Sequence, residues 1–190
     1  IVLGGGHETA FAHFLGYVAA EQSVSILNWD AHADVRPLKN GEPHSGSPFR
    51  QALEHPSELC HSYTVAGLQP HSTAKAHAQY VAAKGGTYHW RREVTRPLVD
   101  ALFDGIDTPT LVTFDLDAVD QSAAPGVSAP AVDGLDPRLW LHAACRAGRH
   151  PHVTSVDISE LNPRVDVDQR TARLAARTVW EVLRGLAGRA

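Results

Sequence analysis

Four runs of apolar, mostly β-branched residues, at positions 1–3, 24–29, 110–114 and 153–156, each end abruptly in acidic or imidazole side chains. Unbroken apolar runs read as buried strands of a parallel sheet, because a strand with one wet face would alternate. Helical periodicity is predicted over residues 9–21, 47–53, 73–83, 95–103 and 137–147. It is clearest over 168–186, with Asp168 as N-cap and an apolar stripe of Leu174, Val179, Val182 and Leu183. Strand-like and helix-like stretches alternate, which predicts an α/β fold: a three-layer sandwich whose parallel sheet is flanked by helices. Two long loops, 31–46 and 118–134, interrupt the alternation, and both begin at acidic clusters. Structureless loops of that length in a compact domain are usually functional.

The strand ends are Gly4-Gly5-Gly6-His7-Glu8, Asp30-Ala31-His32-Ala33-Asp34, Asp115-Leu116-Asp117-Ala118-Val119-Asp120 and Asp157-Ile158-Ser159-Glu160. Ligands of open α/β sheets bind outside the carboxyl ends of the strands, so clusters distant in sequence are expected to meet there. In extended chain, residues two apart project to one side, which lets Asp30, His32 and Asp34 face a single pocket. The competing reading is a polar loop whose aspartates cap turns. Asp115 and Asp117 repeat the spacing, although D-x-D is weak by itself. An EF-hand is excluded, since Val119 stands at the third ligand position and the loop lacks the glycine and glutamate in register.

With His7 the two sets supply six side chains, mostly carboxylates. Hard oxygen donors mixed with imidazole suit Mn²⁺, with zinc, cobalt and iron left open. So many aspartates in one cleft repel unless cations neutralise them, and two divalent ions ~3.5–4 Å apart match that charge count. Gly4 to Gly6 lack both the G-x-G-x-x-G spacing and the Walker lysine. They are read instead as a tight turn that brings His7 to the metals. A plain glycine turn before a helix is the alternative.

Composition narrows the class. The chain has 190 residues, 43% hydrophobic and 20% charged, enough for a single domain (1–190) with a substantial core. A net charge of −4, with scattered basic residues, argues against nucleic acid as the main partner. No apolar stretch nears the ~20 residues of a membrane span, and no secretion signal is visible. Cys60 and Cys145 form neither a metal pair nor a disulfide framework, which suits a reducing cytoplasm. The chain contains no methionine and opens at Ile1 within a core-like strand, so it is expected to be the C-terminal portion of a longer protein.

The four motifs, in this order, resemble the ureohydrolase superfamily of arginase and agmatinase over nearly the whole chain. Within it, Gly-Gly-Gly-His-Glu at 4–8, Arg36 and His44-Ser45-Gly46-Ser47-Pro48-Phe49 are similar to the formimidoylglutamase branch. The resemblance implies an arginase-like fold and two manganese ions per subunit. His7 and Asp34 would complete one ion and His32 and Asp117 the other, with Asp30 and Asp115 bridging. It implies hydrolysis of N-formimidoyl-L-glutamate to glutamate and formamide in histidine degradation, by attack of a metal-bridging hydroxide on the amidine carbon. Glu160 would bind the amidine nitrogens, and Asp117 would hold and relay a proton. Homo-oligomers, common in that family, are implied by the resemblance alone.

Arg36 is expected to take a substrate carboxylate with Ser45 beside it, because a guanidinium grips a carboxylate with two parallel hydrogen bonds and repels diamines. Balancing the neighbouring aspartates is its other reading. Arginases and agmatinases carry a histidine directly before Gly, whereas here Ser45 holds that position and His44 precedes it. His44 is therefore either an acid for the leaving amine or an exposed loop residue. Asp120 is expected to stabilise its loop. The other histidines, His13 among them, show no ligand spacing. Rival functions are another ureohydrolase, such as an agmatinase or a guanidinobutyrase-like amidinohydrolase, and a catalytically silent relative, whose signature would be a lost ligand.

Overall fold

The computed structural model describes residues 1–189. Six strands form one wholly parallel sheet in the order β1-β6-β5-β2-β3-β4. They are β1 (Val2–Leu3), β2 (Val24–Trp29), β3 (Cys60–Leu68), β4 (Thr87–Trp90), β5 (Thr110–Asp115) and β6 (Val153–Ser159). The helices are α1 (Thr9–Ala19), α2 (Pro48–Leu53), α3 (Lys75–Ala83), α4 (Arg96–Asp104), α5 (Pro137–Arg149) and α6 (Arg170–Ala187). Phe103 of α4, Trp140 of α5 and Leu174 and Val182 of α6 pack against Trp29, Val112 and Phe114 on one face. Phe14, Phe49 and Val81, from α1, α2 and α3, cover Ile26, Tyr63, Val65 and Leu111 on the other. The three-layer α/β sandwich expected from the apolar pattern is therefore present, because parallel strands must be covered on both faces.

Three local expectations are corrected. The run at 1–3 is no buried strand: Ile1, Val2 and Leu3 are exposed, and among the described residues β1 pairs with β6 alone. Asp168 does not cap α6. It and Gln169 have left-handed backbones (φ 52° and 57°), and Asp166 instead accepts from the backbone N–H groups of Thr171 and Ala172, both at 3.0 Å. Leu183 leaves the apolar stripe for the surface, while Leu174 and Val182 are buried.

Register then does the work that positions the site. Trp29 pairs with Phe114, and Asp115 with Ser159, so the ends of β2, β5 and β6 lie level. Leu3 pairs with Ile158, Gly4 N–H donates to Ile158 O at 3.0 Å, and Glu160 N–H to Gly5 O at 2.8 Å. The four strands with acidic or histidine-bearing ends are thus four consecutive neighbours in the sheet. After β2 the chain steps outward to β3 and β4, and β5 returns to the opposite side of β2. Such a reversal opens a crevice at the strand ends, and it falls between Asp30 and Asp115.

Candidate metal centre

The end of β2 is held by a buried scaffold absent from any motif. Asn28 Nδ2 donates to Asp30 Oδ2 at 3.0 Å and to Tyr63 Oη at 3.1 Å, and Tyr63 Oη donates to Ala33 O at 2.7 Å. The His32 N–H donates to Asp30 Oδ1 at 2.7 Å. Gly67 bulges β3 beside this turn at φ +119°, and a Cβ there would come within 2.8 Å of Asp30 O. Glycine alone tolerates both the angle and the approach. Asp34 (φ 46°) and Glu160 (φ 71°) are held in the left-handed region, a cost typical of positions whose side chains must point one way.

The first cluster centres on His7, wholly buried after the Gly4 to Gly6 turn and touched by the edge of Phe49. Its Nδ1 lies 3.2 Å from Asp30 Oδ2, 3.0 Å from Asp34 Oδ2 and 3.0 Å from Asp115 Oδ2. None of the three glycines has the positive φ of a tight left-handed turn. Gly4 and Gly6 instead leave room for Thr9 and Glu8, which a Cβ would strike. In the second cluster His32 Nδ1 lies 3.4 Å from Asp30 Oδ1 and 3.2 Å from Asp117 Oδ2. His7, Asp30, Asp34 and Asp115 form one set with metal-ligand spacing, and Asp30, His32 and Asp117 another. Asp30 alone belongs to both, whereas Asp115 falls in the His7 set only.

The side chains of the cluster are electrostatically unfavourable to one another. Burial and neighbouring carboxylates push Asp34 and Asp115 above the usual carboxylate range, and burial with Asp30 pushes Asp117 up to about 7. Burial opposes charging His32, yet Asp117 and Asp30 raise it to about 12. Burial likewise opposes a proton on His7, and Asp115, Asp30 and Asp34 outweigh it. Three buried carboxylates, Asp34, Asp115 and Asp117, are thus pushed toward holding protons, whereas burial of Asp30 is outweighed by His32 and His7, which hold it below the usual carboxylate range. Asp117 Oδ1 is buried without a hydrogen-bond partner among the described residues. The donor set, its excess negative charge and that unpaired oxygen fit hard divalent ions with mixed oxygen and imidazole ligands.

A cleft of about 130 Å³ opens over the clusters, lined by His32, Asp34, Arg36, Ser45, Asp117 and Glu160 among others. Glu160 Oε1 accepts from the His7 N–H at 2.8 Å, and Oε2 from Ser128 Oγ at 2.8 Å. Ser128 carried no sequence signal, because only the return of the 118–134 loop brings it here. Arg36 is exposed, and its guanidinium makes no ion pair among the described residues. Its stem lies against Gly46, whose O accepts from the Arg36 N–H at 2.8 Å. His44 does not line the cleft. Its Nε2 meets Pro37 O at 3.1 Å and its Nδ1 accepts from the Gly46 N–H at 3.1 Å, so both ring nitrogens are used within its own loop. Asp120 accepts from Ser122 Oγ and N and from the Gly134 N–H, and the Ser122 bonds hold its carboxyl below the usual range. That carboxylate closes a loop, as expected.

A second cleft, about 180 Å³, lies at the opposite ends of β2, β3 and β5 and contains Asp107 and His61 but no acidic cluster. Among the described residues no helix is long and apolar enough to cross a membrane.

Known proteins resemble this chain in sequence and fold. A formimidoylglutamase of Geobacillus sp. (strain WCH70) is 37% identical over 192 residues, covering 96% of this chain and 58% of that protein. One of Nocardia farcinica is 39% identical, covering 96% and 61%. The crystal structure of Trypanosoma cruzi formiminoglutamase with Mn²⁺ superposes with a TM-score of 0.90 at 34% identity, covering all of this chain and 65% of that one. Proclavaminate amidino hydrolase of Streptomyces clavuligerus gives a TM-score of 0.83 at 26% identity, covering 97% and 63%. The chain spans about three fifths of the length of these relatives. The sequence model of the arginase family matches residues 1–185, and with the fold and the strand-end clusters above, this chain belongs to the arginase family.

Proposed function

We propose that residues 1–190 form a single catalytic domain of a cytoplasmic, manganese-dependent hydrolase that cleaves N-formimidoyl-L-glutamate to L-glutamate and formamide, a step of histidine degradation. One observation carries the reading: two carboxylate–imidazole clusters sharing Asp30 lie beneath a cleft with an anionic group, Glu160, and an unpaired guanidinium, Arg36, on its lining. His7, Asp34, Asp30 and Asp115 would hold one ion, and His32, Asp117 and Asp30 the other. Bound there, two manganese ions would make water acidic enough to serve as a nucleophile at neutral pH.

The chain's own residues supply recognition and proton transfer. A protonated amidine is planar and cationic with N–H groups on one edge, which matches a carboxylate acceptor. Glu160 has that role, pinned by His7 N–H and Ser128 so that its charge is oriented before substrate arrives. Arg36 pairs with a substrate carboxylate, with Ser45 lining the cleft beside it. Asp117 Oδ1, which has no hydrogen-bond partner among the described residues, accepts the proton of the attacking water and passes it to the departing glutamate nitrogen. His44 braces its loop and takes no part. Free Cys60 and Cys145 agree with a cytoplasmic location.

The test is Mn²⁺-dependent release of formamide from N-formimidoyl-L-glutamate, beside urea release from arginine, agmatine and guanidinobutyrate. Formamide from the glutamate derivative alone is expected. Urea from a guanidino compound would overturn the substrate, and silence on all four with metal bound would overturn it too and point to another amide or amidine hydrolase. In Arg36→Ala the KM for formimidoylglutamate should rise about 10–100-fold with metal content kept, the worth of a charged hydrogen-bonded pair.

A further inference from the structure

The motif 157–160 contains a carboxylate the proposed reaction does not use. Asp157 is fully buried inside β6 and lies outside both metal clusters. In the sheet it stands between Thr113 of β5 and Val2 of β1. Thr113 Oγ1 donates to Asp157 Oδ1 at 2.5 Å, and the same Oγ1 lies 2.8 Å from His7 Nε2. Asp157 Oδ2 lies 2.8 Å from Nδ1 of His13, a residue of α1. The four groups make an unbroken line, His7–Thr113–Asp157–His13, through the layer beneath the strand ends.

The direction of the hydrogens along that line follows from donor counting. A carboxylate only accepts, and a threonine hydroxyl has one hydrogen. With that hydrogen given to Asp157, Thr113 Oγ1 can only accept from His7, so the proton of a neutral His7 ring sits on Nε2. Nδ1 is then a bare lone pair, aimed at Asp30, Asp34 and Asp115 from 3.0–3.2 Å. A lone pair facing three carboxylates is repulsive, and a cation among the four turns the same geometry into coordination.

We propose that Asp157, clamped by His13, is a positioning residue that acts through Thr113 to fix His7 in the tautomer and ring orientation that bind metal. The role rests on the metal centre proposed above. Neither Asp157 nor Thr113 lines the cleft. An apolar pair would fill the same space between β5 and β6 without the cost of burying a carboxylate, so stability alone does not account for the pair. The arrangement adds a threonine link to the histidine–carboxylate pairing that raises ligand basicity in metalloproteins.

Mn²⁺ titration followed by the EPR signal of the free ion tests the proposal, using Thr113→Val, Thr113→Ser and Asp157→Asn. His7→Ala and His32→Ala mark which binding class belongs to which cluster. Thr113→Val, which keeps shape and removes the hydroxyl, should weaken the His7 class about 10–100-fold and leave the His32 class at its parental Kd. Asp157→Asn should weaken the same class, and Thr113→Ser, which restores the hydroxyl, should return it to within about threefold of the parent. Equal weakening of both classes, a parental isotherm in Thr113→Val, or a Thr113→Ser as weak as Thr113→Val would overturn the positioning role. A parent protein that takes up no Mn²⁺ would instead remove the metal centre on which the role depends.

Discussion

Asp30 and Asp115 end neighbouring strands in one register, and their carboxylates converge on the same atom, His7 Nδ1, at 3.2 and 3.0 Å. The pairing of Trp29 with Phe114 sets this approach, so it is as rigid as the sheet itself. Sites built on strand ends hold their geometry better than sites carried on loops.

Removing either carboxylate should therefore cost metal before it costs fold. Asp30→Ala is expected to empty both clusters, because Asp30 lies in both sets, while Asp115→Ala should chiefly empty the His7 cluster. Each loss should exceed the roughly 10–100-fold typical of residues one step further out. Metal content after dialysis against micromolar Mn²⁺ decides the matter, and full loading of Asp30→Ala would refute the assignment.

Metal should also stabilise the fold, because a cation offsets the repulsion that pushes the carboxyls of Asp34, Asp115 and Asp117 above their usual range. At free Mn²⁺ 100-fold above Kd, binding to the native state adds about 2.7 kcal/mol. For a chain of this size that corresponds to roughly 5–10 °C in Tm. Calorimetry with Mn²⁺ and with a chelator should show this shift, and identical melting curves would speak against a bound ion.

Glu160→Gln keeps shape and hydrogen-bond acceptance at one atom but deletes the charge facing the amidine. The expected fall in kcat/KM is about 10–150-fold, matching the ~1.5–3 kcal/mol of a hydrogen bond to a charged group. Bound manganese should not change, since Glu160 lies outside both ligand sets. A variant with parental kcat/KM would remove Glu160 from substrate binding.

Away from the site, Glu181 of α6 gives a pH prediction. Burial raises its pKa, but hydrogen bonds from Arg184 and Arg177 outweigh this and hold it below its ordinary 4.5. A depressed folded-state pKa stabilises above the unfolded value, and that stabilisation disappears as pH falls through the folded one. Both arginines are half exposed, so the contribution is about 1 kcal/mol or less. Urea midpoints of Glu181→Gln should lie below the parent at pH 7 and converge with it as pH drops below about 4. A gap that persists in acid would point to packing as the cause.

The cap of α6 offers a simpler check. Asp166→Ala removes the acceptor of two N–H groups in the first turn and should cost about 1 kcal/mol, whereas Asp168→Gly, which suits the left-handed backbone there, should be nearly silent. Urea unfolding of the two variants separates them, and the reverse order would restore Asp168 as the cap.

Much of the fold was legible in one dimension. The apolar runs at 24–29, 110–114 and 153–156 are strands because strands covered on both faces have no polar side, a property local to each segment. The acidic motifs were legible for a similar reason: alternation at a strand end puts residues two apart on one side. Local pattern misled where its consequence depends on neighbours. The run at 1–3 is as apolar as a core strand yet lies exposed on the sheet edge, and Asp168 has the right residue type for a cap but the wrong backbone angle.

Sequence alone determined the side chains available for chemistry, the strands that carry them and the family they resemble. Strand order, register and loop return belonged to the tertiary structure. Nothing in the residues of β1, β2, β5 and β6 says that these four strands are neighbours, yet only that order brings His7 to Asp30, Asp34 and Asp115. The same packing enlisted Asn28, Tyr63, Ser128 and His13, residues without any motif, and turned His44 away from the cleft. The physical reason is range: strand and helix propensity act over a few residues, whereas a buried charge cluster is assembled by contacts between segments far apart in the chain, which exist only once the sheet has formed.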